Sequence, residues 1–215
     1  MGATIRSRAP LRLGLAGGGT DLSPFCDLYG GAVLSCTVDR YAYAFVAPRS
    51  DGKVVFEARD IGAREMHAAD APLDLGAGLR LHRGVYDHFR CNSRDNAPLA
   101  VTVTTAVDAP AGSGLGSSSA LVVALCEAFR VHCRAPLALH DLAQLAFDIE
   151  RKELQLAGGK QDHYAAVFGG VNFIEFLPRA RVLVSPIRVE RAILNEIEAS
   201  LVVCFTGVSR TSDTI

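Results

Sequence analysis

Hydrophobic and polar residues alternate along this chain in two different patterns, which together predict a mixed α/β fold. Runs rich in β-branched and apolar residues predict strands over residues 4–15, 31–48, 53–58, 99–107, 170–176, 182–187 and 201–205. Apolar residues at helical spacing predict helices over residues 79–89, 118–133, 139–156 and 189–200. The polar segment 90–98 is expected to form a surface loop, and the character of the chain changes near residues 177–181.

Composition narrows the class of protein. The chain has 215 residues, of which 49% are hydrophobic, so it is long enough to bury a sizeable core. A net charge of −1 gives no general attraction to nucleic acid or to an anionic membrane, and we expect neither as a partner. The six cysteines are scattered without a Cys-x-x-Cys pair, and no signal peptide or membrane-spanning run is recognisable. These features predict a cytoplasmic protein with reduced cysteines, and they leave a homo-oligomer open.

The most informative segment, residues 110–120, reads Pro-Ala-Gly-Ser-Gly-Leu-Gly-Ser-Ser-Ser-Ala between a predicted strand and a predicted helix. Its glycines let the backbone approach a ligand, and the N–H groups that begin the helix carry the positive end of its dipole. A Walker A loop is excluded because no lysine occurs between Lys53 and Lys152. A Rossmann turn would need glycine or alanine where Ser117 stands. The pattern favours a polyphosphate site over a dinucleotide site or a connector without a ligand.

This segment resembles the central motif of the GHMP kinases, which phosphorylate galactose, homoserine, mevalonate and related small molecules. Two further segments agree in order and content, namely Ala9-Pro10-Leu11-Arg12 through Gly17-Gly18-Gly19-Thr20-Asp21, and Gly158-Gly159-Lys160-Gln161-Asp162. The Ala-Gly-Gly-Gly-Thr-Asp form of the first segment is similar to the branch that contains D-glycero-D-manno-heptose 7-phosphate kinases and relatives of fucokinase.

The resemblance implies a fold and a division of the chain. Residues 1–180 would form a ribosomal-protein-S5-domain-2-like N-terminal domain with the ATP and substrate motifs. Residues 181–215 would be the start of a ferredoxin-like C-terminal domain. Because such kinases are usually longer, we expect this sequence to be truncated.

The resemblance also implies ATP and Mg²⁺ as cofactors. Ser118 and Glu150 would bind the metal ion, although Ser118 could instead cap the helix and Glu150 could form a salt bridge to Arg12 or Lys160. The implied nucleotide-binding residues are Pro110, Ala111, Gly112, Ser113, Gly114, Leu115, Gly116, Ser117, Ser118 and Ser119.

Helical periodicity alone does not choose the metal-binding carboxylate. In the predicted helix 139–156, Glu150 and Glu153 lie on the same side, whereas Arg151 is expected to point away from it. The family pattern prefers Glu150.

Asp162 matches the aspartate of the third family segment, which implies a catalytic base that takes the proton of the acceptor hydroxyl. Arg12 resembles the basic residue that keeps such an aspartate ionised and steadies the transferring phosphoryl group. Asp162 could instead cap a helix or act mainly by orienting the substrate.

The sugar is expected to contact the first and third motifs. Asp21 would accept hydrogen bonds from sugar hydroxyls, or could instead cap the next turn. A phosphate on the substrate would need cations, for which Arg40, Lys160 and Arg210 are the first choices and Arg80 and Arg83 come behind them. The implied substrate-binding residues are Gly17, Gly18, Gly19, Thr20, Asp21, Gly30, Gly31, Arg40, Lys160, Gln161, Asp162 and Arg210.

The function implied by the resemblance is ATP-dependent phosphorylation of the anomeric hydroxyl of D-glycero-D-manno-heptose 7-phosphate to the 1,7-bisphosphate. Two alternatives remain open. One is a kinase of an unphosphorylated sugar such as fucose, and the other is a catalytically silent module that binds nucleotide or sugar.

Overall fold

The computed structural model describes residues 2–92, 98–110 and 112–204, and confirms the mixed α/β class. Its strands are β1 (Ile5–Ala16), β2 (Gly31–Pro48), β3 (Lys53–Ala58), β4 (Ala63–Ala68), β5 (Val101–Val107), β6 (Val171–Leu177) and β7 (Arg181–Pro186). Its helices are α1 (Phe25–Tyr29), α2 (Arg80–Cys91), α3 (Ser117–His132), α4 (Leu139–Phe147), α5 (Gln161–Phe168) and α6 (Arg191–Ser200). A π-helical turn, Asp148–Glu153, follows α4 directly.

The long strand β2 organises the sheet. Its second half pairs with β5 and its first half with β6, while β1 pairs along its other edge. The order from one end is β4-β3-β5-β2-β6-β7, and β3 and β5 form the parallel pair among antiparallel ones. Because β1 and β2 run antiparallel, the glycine turn after β1 comes to lie beside the first residues of β2.

The main core lies between the sheet and helices α2 and α3. Val122, Leu125 and Phe129 on α3 are fully buried, and Phe129 packs against Tyr86 of α2. This packing fixes the first turn of α3, and with it the end of the glycine loop.

The helix predicted over residues 139–156 is divided. The α-helix ends at Phe147, and the π-helical turn continues with the Leu154 N–H donating to the Ile149 carbonyl, five residues back, at 2.9 Å. A π-helical turn advances each side chain by a smaller angle than an α-helix, so the faces read from a 3.6-residue period do not hold here.

Three elements were not predicted, and one prediction was wrong. Helix α1 has five residues, and α5 follows glycines, so neither gives a long periodic pattern. Strand β4 alternates between exposed and half-buried positions, and half of its residues are polar. Within the strand predicted over residues 201–205, residues 201–204 are exposed and pair with no strand of the described part of the chain, and residue 205 lies outside the described residues.

The C-terminal part of the described chain continues the same sheet. Strand β7 pairs with β6 from Leu177 opposite Arg181 to Asn172 opposite Pro186. The division into domains at residue 180 stays a prediction. Among the described residues, no helix has the length and apolar character needed to cross a membrane.

Candidate active site

The glycine loop joins β5 to α3, as the sequence predicted. Gly112, Gly114 and Gly116 have φ of +75°, +76° and +70°, which are conformations that favour glycine. Gly116 directly precedes Ser117, the first residue of α3. The loop therefore turns sharply and leads into the N–H groups of a helix, the arrangement that binds anions. Ala111, predicted to bind nucleotide, lies outside the described residues.

Arg12 on β1 joins the glycine loop to Asp162. Its backbone N–H donates to the Leu115 carbonyl at 3.0 Å, and its Nη1 donates to the Gly114 carbonyl at 2.9 Å. Its Nε donates to Asp162 Oδ1 at 2.5 Å. Asp162 lies in the first turn of α5, and a Cβ added at Gly116 would come within 3.2 Å of its Cγ. The structure thus brings the predicted base, its arginine and the loop into one junction.

Glu150, in the π-helical turn, is fully buried beneath the first turn of α3. Its Oε2 accepts hydrogen bonds from Ser119 Oγ at 2.8 Å and from His163 Nε2 at 2.6 Å. The hydroxyl of Ser118 donates to its Oε1. Because a carboxylate offers only acceptors, the His163 ring must be the donor.

Burial alone would raise the pKa of Glu150, since it penalises the charged form. The hydrogen bond and electrostatic attraction from His163, the charge of Arg151 and the hydrogen bond from Ser118 outweigh burial and lower the pKa to about 2. Glu150 is therefore an ionised carboxylate at neutral pH.

The geometry corrects two expectations about this turn. Arg151 was expected to point away, yet its side chain is 10% exposed, its Nη1 lies 3.5 Å from Glu150 Oε1 and its Nη2 donates to Ser119 Oγ at 3.1 Å. The π-helical turn rotates Arg151 inward. Among the described residues, the basic groups beside Glu150 are His163 and Arg151, so the predicted alternative pairing with Arg12 or Lys160 was wrong.

Glu153 is the carboxylate that periodicity could not separate from Glu150. It is 39% exposed, and its Oε1 lies 3.0 Å from His88 Nδ1. The inward carboxylate at this end of the glycine loop is Glu150.

The oxygens of Ser118 and Glu150 fit a magnesium ion by type. Mg²⁺ takes oxygen ligands and is usually held by one or two carboxylates together with substrate phosphates. Within the described part of the chain, no group of three or more His, Cys, Asp or Glu forms a ready cage. Ser118 lines an open cleft, which is the side from which phosphate oxygens could complete the ion's ligands.

Asp21 is 1% exposed and binds Gln161 with both of its oxygens. Oδ2 accepts from the Gln161 backbone N–H at 2.9 Å, and Oδ1 accepts from its Nε2 at 3.2 Å. A Cβ added at Gly159 would lie 1.9 Å from Asp21 Oδ2. The Asp21 carboxylate therefore bonds the first residue of α5 and not the turn that follows it in the chain, and sugar binding by Asp21 stays a prediction.

The glycines of the first motif serve two different purposes. A Cβ at Gly17 would lie 1.9 Å from the Ala32 carbonyl, and one at Gly31 would lie 1.9 Å from the Thr20 carbonyl. Gly18 and Gly19 have open space at that position, where a ligand can approach the backbone. The hydroxyl of Thr20 donates to the Gly17 carbonyl and accepts from the Ala32 N–H, which ties the turn together. Gly30 ends α1.

The predicted phosphate-binding cations are placed differently from one another. Lys160 is 6% exposed, and its Nζ lies 3.1 Å from Asp27 Oδ1. Arg40 is exposed on β2, where it bonds the Asp39 carbonyl, and Arg210 lies outside the described residues. Phosphate binding by these residues stays a prediction.

A cleft of about 360 Å³ opens beside the glycine loop. It is mostly apolar, and its wall runs from the end of β3 across the start of α2 to α3. Residues along this wall include Ala58, Leu79, Val107, Gly112, Ser118, Leu121 and Leu156. Sequence reasoning missed this cleft because its lining comes from separate segments with ordinary hydrophobic patterns.

His163 was also missed. The available signal was its position directly after Asp162, the predicted catalytic base. A histidine next to one functional carboxylate is a candidate partner for another carboxylate of the same site. Its burial against Glu150 depends on the packing of α5, which the sequence pattern did not predict.

Comparison with known proteins supports the family that the motifs implied. The family model for the GHMP kinases N terminal domain matches residues 80–170. The chain is 41% identical over 212 residues to D-glycero-alpha-D-manno-heptose 7-phosphate kinase of Campylobacter jejuni, which covers 99% of this chain and 62% of that enzyme. It is 27% identical over 194 residues to L-fucokinase/L-fucose-1-P guanylyltransferase of Bacteroides fragilis, covering 80% of this chain and 20% of that protein.

The structures agree as well. The crystal structure of a D-glycero-D-manno-heptose 1-phosphate kinase from Bacteroides thetaiotaomicron superposes with a TM-score of 0.86 at 43% identity, covering 91% of this chain and 64% of that one. The chain contains a GHMP kinases N terminal domain over residues 80–170, as the sequence motifs implied. Within the superfamily it resembles the heptose phosphate kinases, and it spans 62% to 64% of the length of the two such relatives.

Proposed function

We propose that this chain forms the nucleotide and sugar site of an ATP-dependent sugar kinase. The reaction is transfer of the γ-phosphoryl group of ATP to the anomeric hydroxyl of D-glycero-D-manno-heptose 7-phosphate, giving the 1,7-bisphosphate. The observation that carries this proposal is the junction of Arg12, Asp162 and the glycine loop, where Arg12 bonds both Asp162 Oδ1 and the Gly114 carbonyl. The similarity to named heptose phosphate kinases supports this sugar class.

The nucleotide occupies the loop and the cleft beside it. The N–H groups at the start of α3 and the backbone of the glycine loop bind the phosphates, because both point donors at the same anion. The apolar cleft of about 360 Å³ takes the adenine ring of the nucleotide, since its volume lies within the range for ligand pockets, at the small end. A magnesium ion held by Ser118 and Glu150 would neutralise phosphate charge.

Asp162 acts on the acceptor hydroxyl. Arg12 occupies Oδ1, so we assign Oδ2 to the sugar hydroxyl. As the phosphoryl group arrives, the hydroxyl oxygen bonds to phosphorus, the bond to ADP breaks, and the hydroxyl proton passes to Asp162. Arg12 stabilises the carboxylate before transfer and lies beside the loop that holds the phosphates.

The test is sugar-dependent release of ADP from Mg·ATP by the purified protein. The acceptors are D-glycero-D-manno-heptose 7-phosphate, heptose 1-phosphate, mannose 6-phosphate, mannose and fucose. We expect turnover with the heptose 7-phosphate and at least tenfold less with the others. Turnover with heptose 1-phosphate alone would move the acceptor hydroxyl to another carbon, and no turnover with any sugar would favour the silent binding module.

A kinase of an unphosphorylated sugar is the second candidate. Two observations favour it, the similarity to the L-fucokinase of Bacteroides fragilis and the engagement of Lys160 with Asp27, which reduces the cationic charge available to a substrate phosphate. Preferential turnover of fucose in the same assay would select this candidate.

A further inference from the structure

His163 connects the helix that carries the base to the carboxylate of the metal site. Its side chain is fully buried, and its Nε2 lies 2.6 Å from Glu150 Oε2. The ring of Phe147 packs edge-on against it, with centroids 5.7 Å apart. Within the described part of the chain, Nδ1 has no hydrogen-bond partner, so Glu150 is the group that this ring orients.

The bonds around Glu150 have a direction that matters for Ser118. Oε2 accepts from both His163 and Ser119, which turns Oε1 toward the Ser118 hydroxyl. A hydroxyl that donates its proton to a carboxylate keeps two lone pairs for other partners. Because Ser118 lines the cleft, those lone pairs are available to a cation there.

We propose that His163 is a positioning residue for the metal–nucleotide complex, acting through Glu150 to hold the Ser118 hydroxyl with its lone pairs toward the cleft. This inference rests on the proposed function for the identity of the nucleotide and the metal ion. The residue it concerns, His163, is placed in contact with Glu150 and not with the nucleotide or the metal ion.

The first turn of α5, which carries His163, also positions the proposed catalytic base, Asp162. Asp162 and His163 are consecutive in the first turn of α5, one bonded to Arg12 and the other to Glu150. One rigid turn therefore fixes the spacing between the group that takes the proton and the group that holds the metal.

The experiment compares His163→Leu with His163→Gln in the full protein. Leucine fills much of the space without a donor, whereas the glutamine amide can place its N–H near the position of Nε2. The first measurement is the dissociation constant of Mn²⁺ in the presence of saturating ADP, followed by the electron paramagnetic resonance signal of free Mn²⁺. The second is ADP binding in EDTA, which reports the nucleotide site without metal.

We expect His163→Leu to weaken Mn²⁺ binding by about 10–100-fold, the usual effect of losing a group that orients a metal ligand. ADP binding in EDTA should stay within about threefold, and His163→Gln should restore most of the lost Mn²⁺ affinity. Phe147→Leu is the matched control, because it loosens the packing around His163 and keeps the donor. His163→Asn, too short to reach Glu150, should behave like leucine and serves if the leucine variant does not fold.

Wild-type affinity for Mn²⁺ in His163→Leu would overturn the proposal, as would an equal loss in the leucine, glutamine and Phe147→Leu variants, which would indicate packing alone. Absence of Mn²⁺ binding by the wild-type protein would overturn it too. A protein that binds Mn²⁺ with ADP but phosphorylates no sugar contradicts the proposed kinase activity and leaves the role of His163 supported or overturned by the variants.

Discussion

Two carboxylates bond residues on different walls of the cleft, Glu65 to Leu79 and Glu150 to Ser118, and they differ in what surrounds them. Glu65 on β4 accepts the Leu79 N–H at 2.6 Å and Arg83 Nε at 2.8 Å, so it holds the segment that leads into α2. Glu150 lies beneath the first turn of α3 and also pairs with an arginine, Arg151. Both are ion-paired at the beginning of a helix, although Glu65 is half-buried and Glu150 is fully buried.

The electrostatics of the two carboxylates are also alike. Burial raises the pKa of Glu65, but the hydrogen bonds from Arg83 and from the Leu79 N–H outweigh it and lower the pKa below its usual range. Glu150 is lowered in the same sense by His163, Arg151 and Ser118. A depressed pKa therefore does not identify the functional carboxylate.

The difference is a hydroxyl on the cleft side. Glu150 binds Ser118, which lines the cleft beside the glycine loop, whereas the partners of Glu65 are backbone, Arg83 and His67. Arg83, one of the reserve cations expected for a substrate phosphate, is committed to Glu65 and to the Asp74 carbonyl at 2.7 Å. We infer that the Glu65 region maintains the fold and the Glu150 region serves the reaction.

The largest expected effect lies on the Glu150 side of the cleft. Asp162→Asn should lower turnover by about 10²–10⁴-fold, because the amide cannot accept the proton, while metal-free ADP binding changes little. Steady-state kinetics and ADP titration measure the two quantities. Asp141→Asn, at an exposed position in the first turn of α4, is the control and should retain wild-type turnover. Equal turnover in both variants would remove Asp162 from the chemistry.

Neutralising each carboxylate in turn should separate stability from metal dependence. Glu65→Gln should lower the free energy of unfolding by about 3 kcal/mol, because it leaves Arg83 buried without its counter-charge. Its magnesium dependence should match the wild-type protein. Glu150→Gln should instead raise the Mg²⁺ concentration for half-maximal activity by about 10–100-fold. Denaturant unfolding and magnesium titration of both variants provide the check, and the same response in both would break the distinction.

A smaller effect concerns pH and the Glu65 side. Burial lowers the pKa of His82, beside Arg83 on α2, to about 4, and the charge of Glu65 opposes this only weakly. Below pH 6.5 the unfolded chain then binds more protons than the folded one, so stability falls as the pH falls toward 4. Between pH 7 and pH 5 His82 should cost about 2 kcal/mol. His82→Gln should lose less stability over this range in thermal or denaturant unfolding, and an identical pH dependence would contradict the assignment.

Local motifs predicted the glycine loop, because strand, glycines and helix are consecutive in the sequence. The resemblance to the GHMP kinases implied one site for Arg12, Ser118, Glu150 and Asp162, and the structure brings them to adjoining parts of the glycine loop. The assigned chemical roles stay predictions until the variants are measured.

What the sequence could not predict depends on packing. Arg151 turns inward because the helix becomes π-helical at Asp148, a change without a compositional signal. Lys160 is buried because its Nζ contacts Asp27 and Cys26 of another segment. Asp21 accepts the backbone N–H of Gln161, the first residue of α5, from 140 residues away. Each of these contacts joins segments far apart in the chain, where periodicity carries no information.

The most direct test of the account is the site at which the sugar is phosphorylated. The full protein would be incubated with Mg·ATP and D-glycero-D-manno-heptose 7-phosphate, and the products followed by ³¹P nuclear magnetic resonance. We predict a new sugar phosphate resonance coupled to the anomeric proton beside the retained 7-phosphate signal, appearing with ADP and suppressed by Asp162→Asn. A new phosphate coupled to any other sugar proton, or ADP released only with inorganic phosphate, would contradict the proposed transfer.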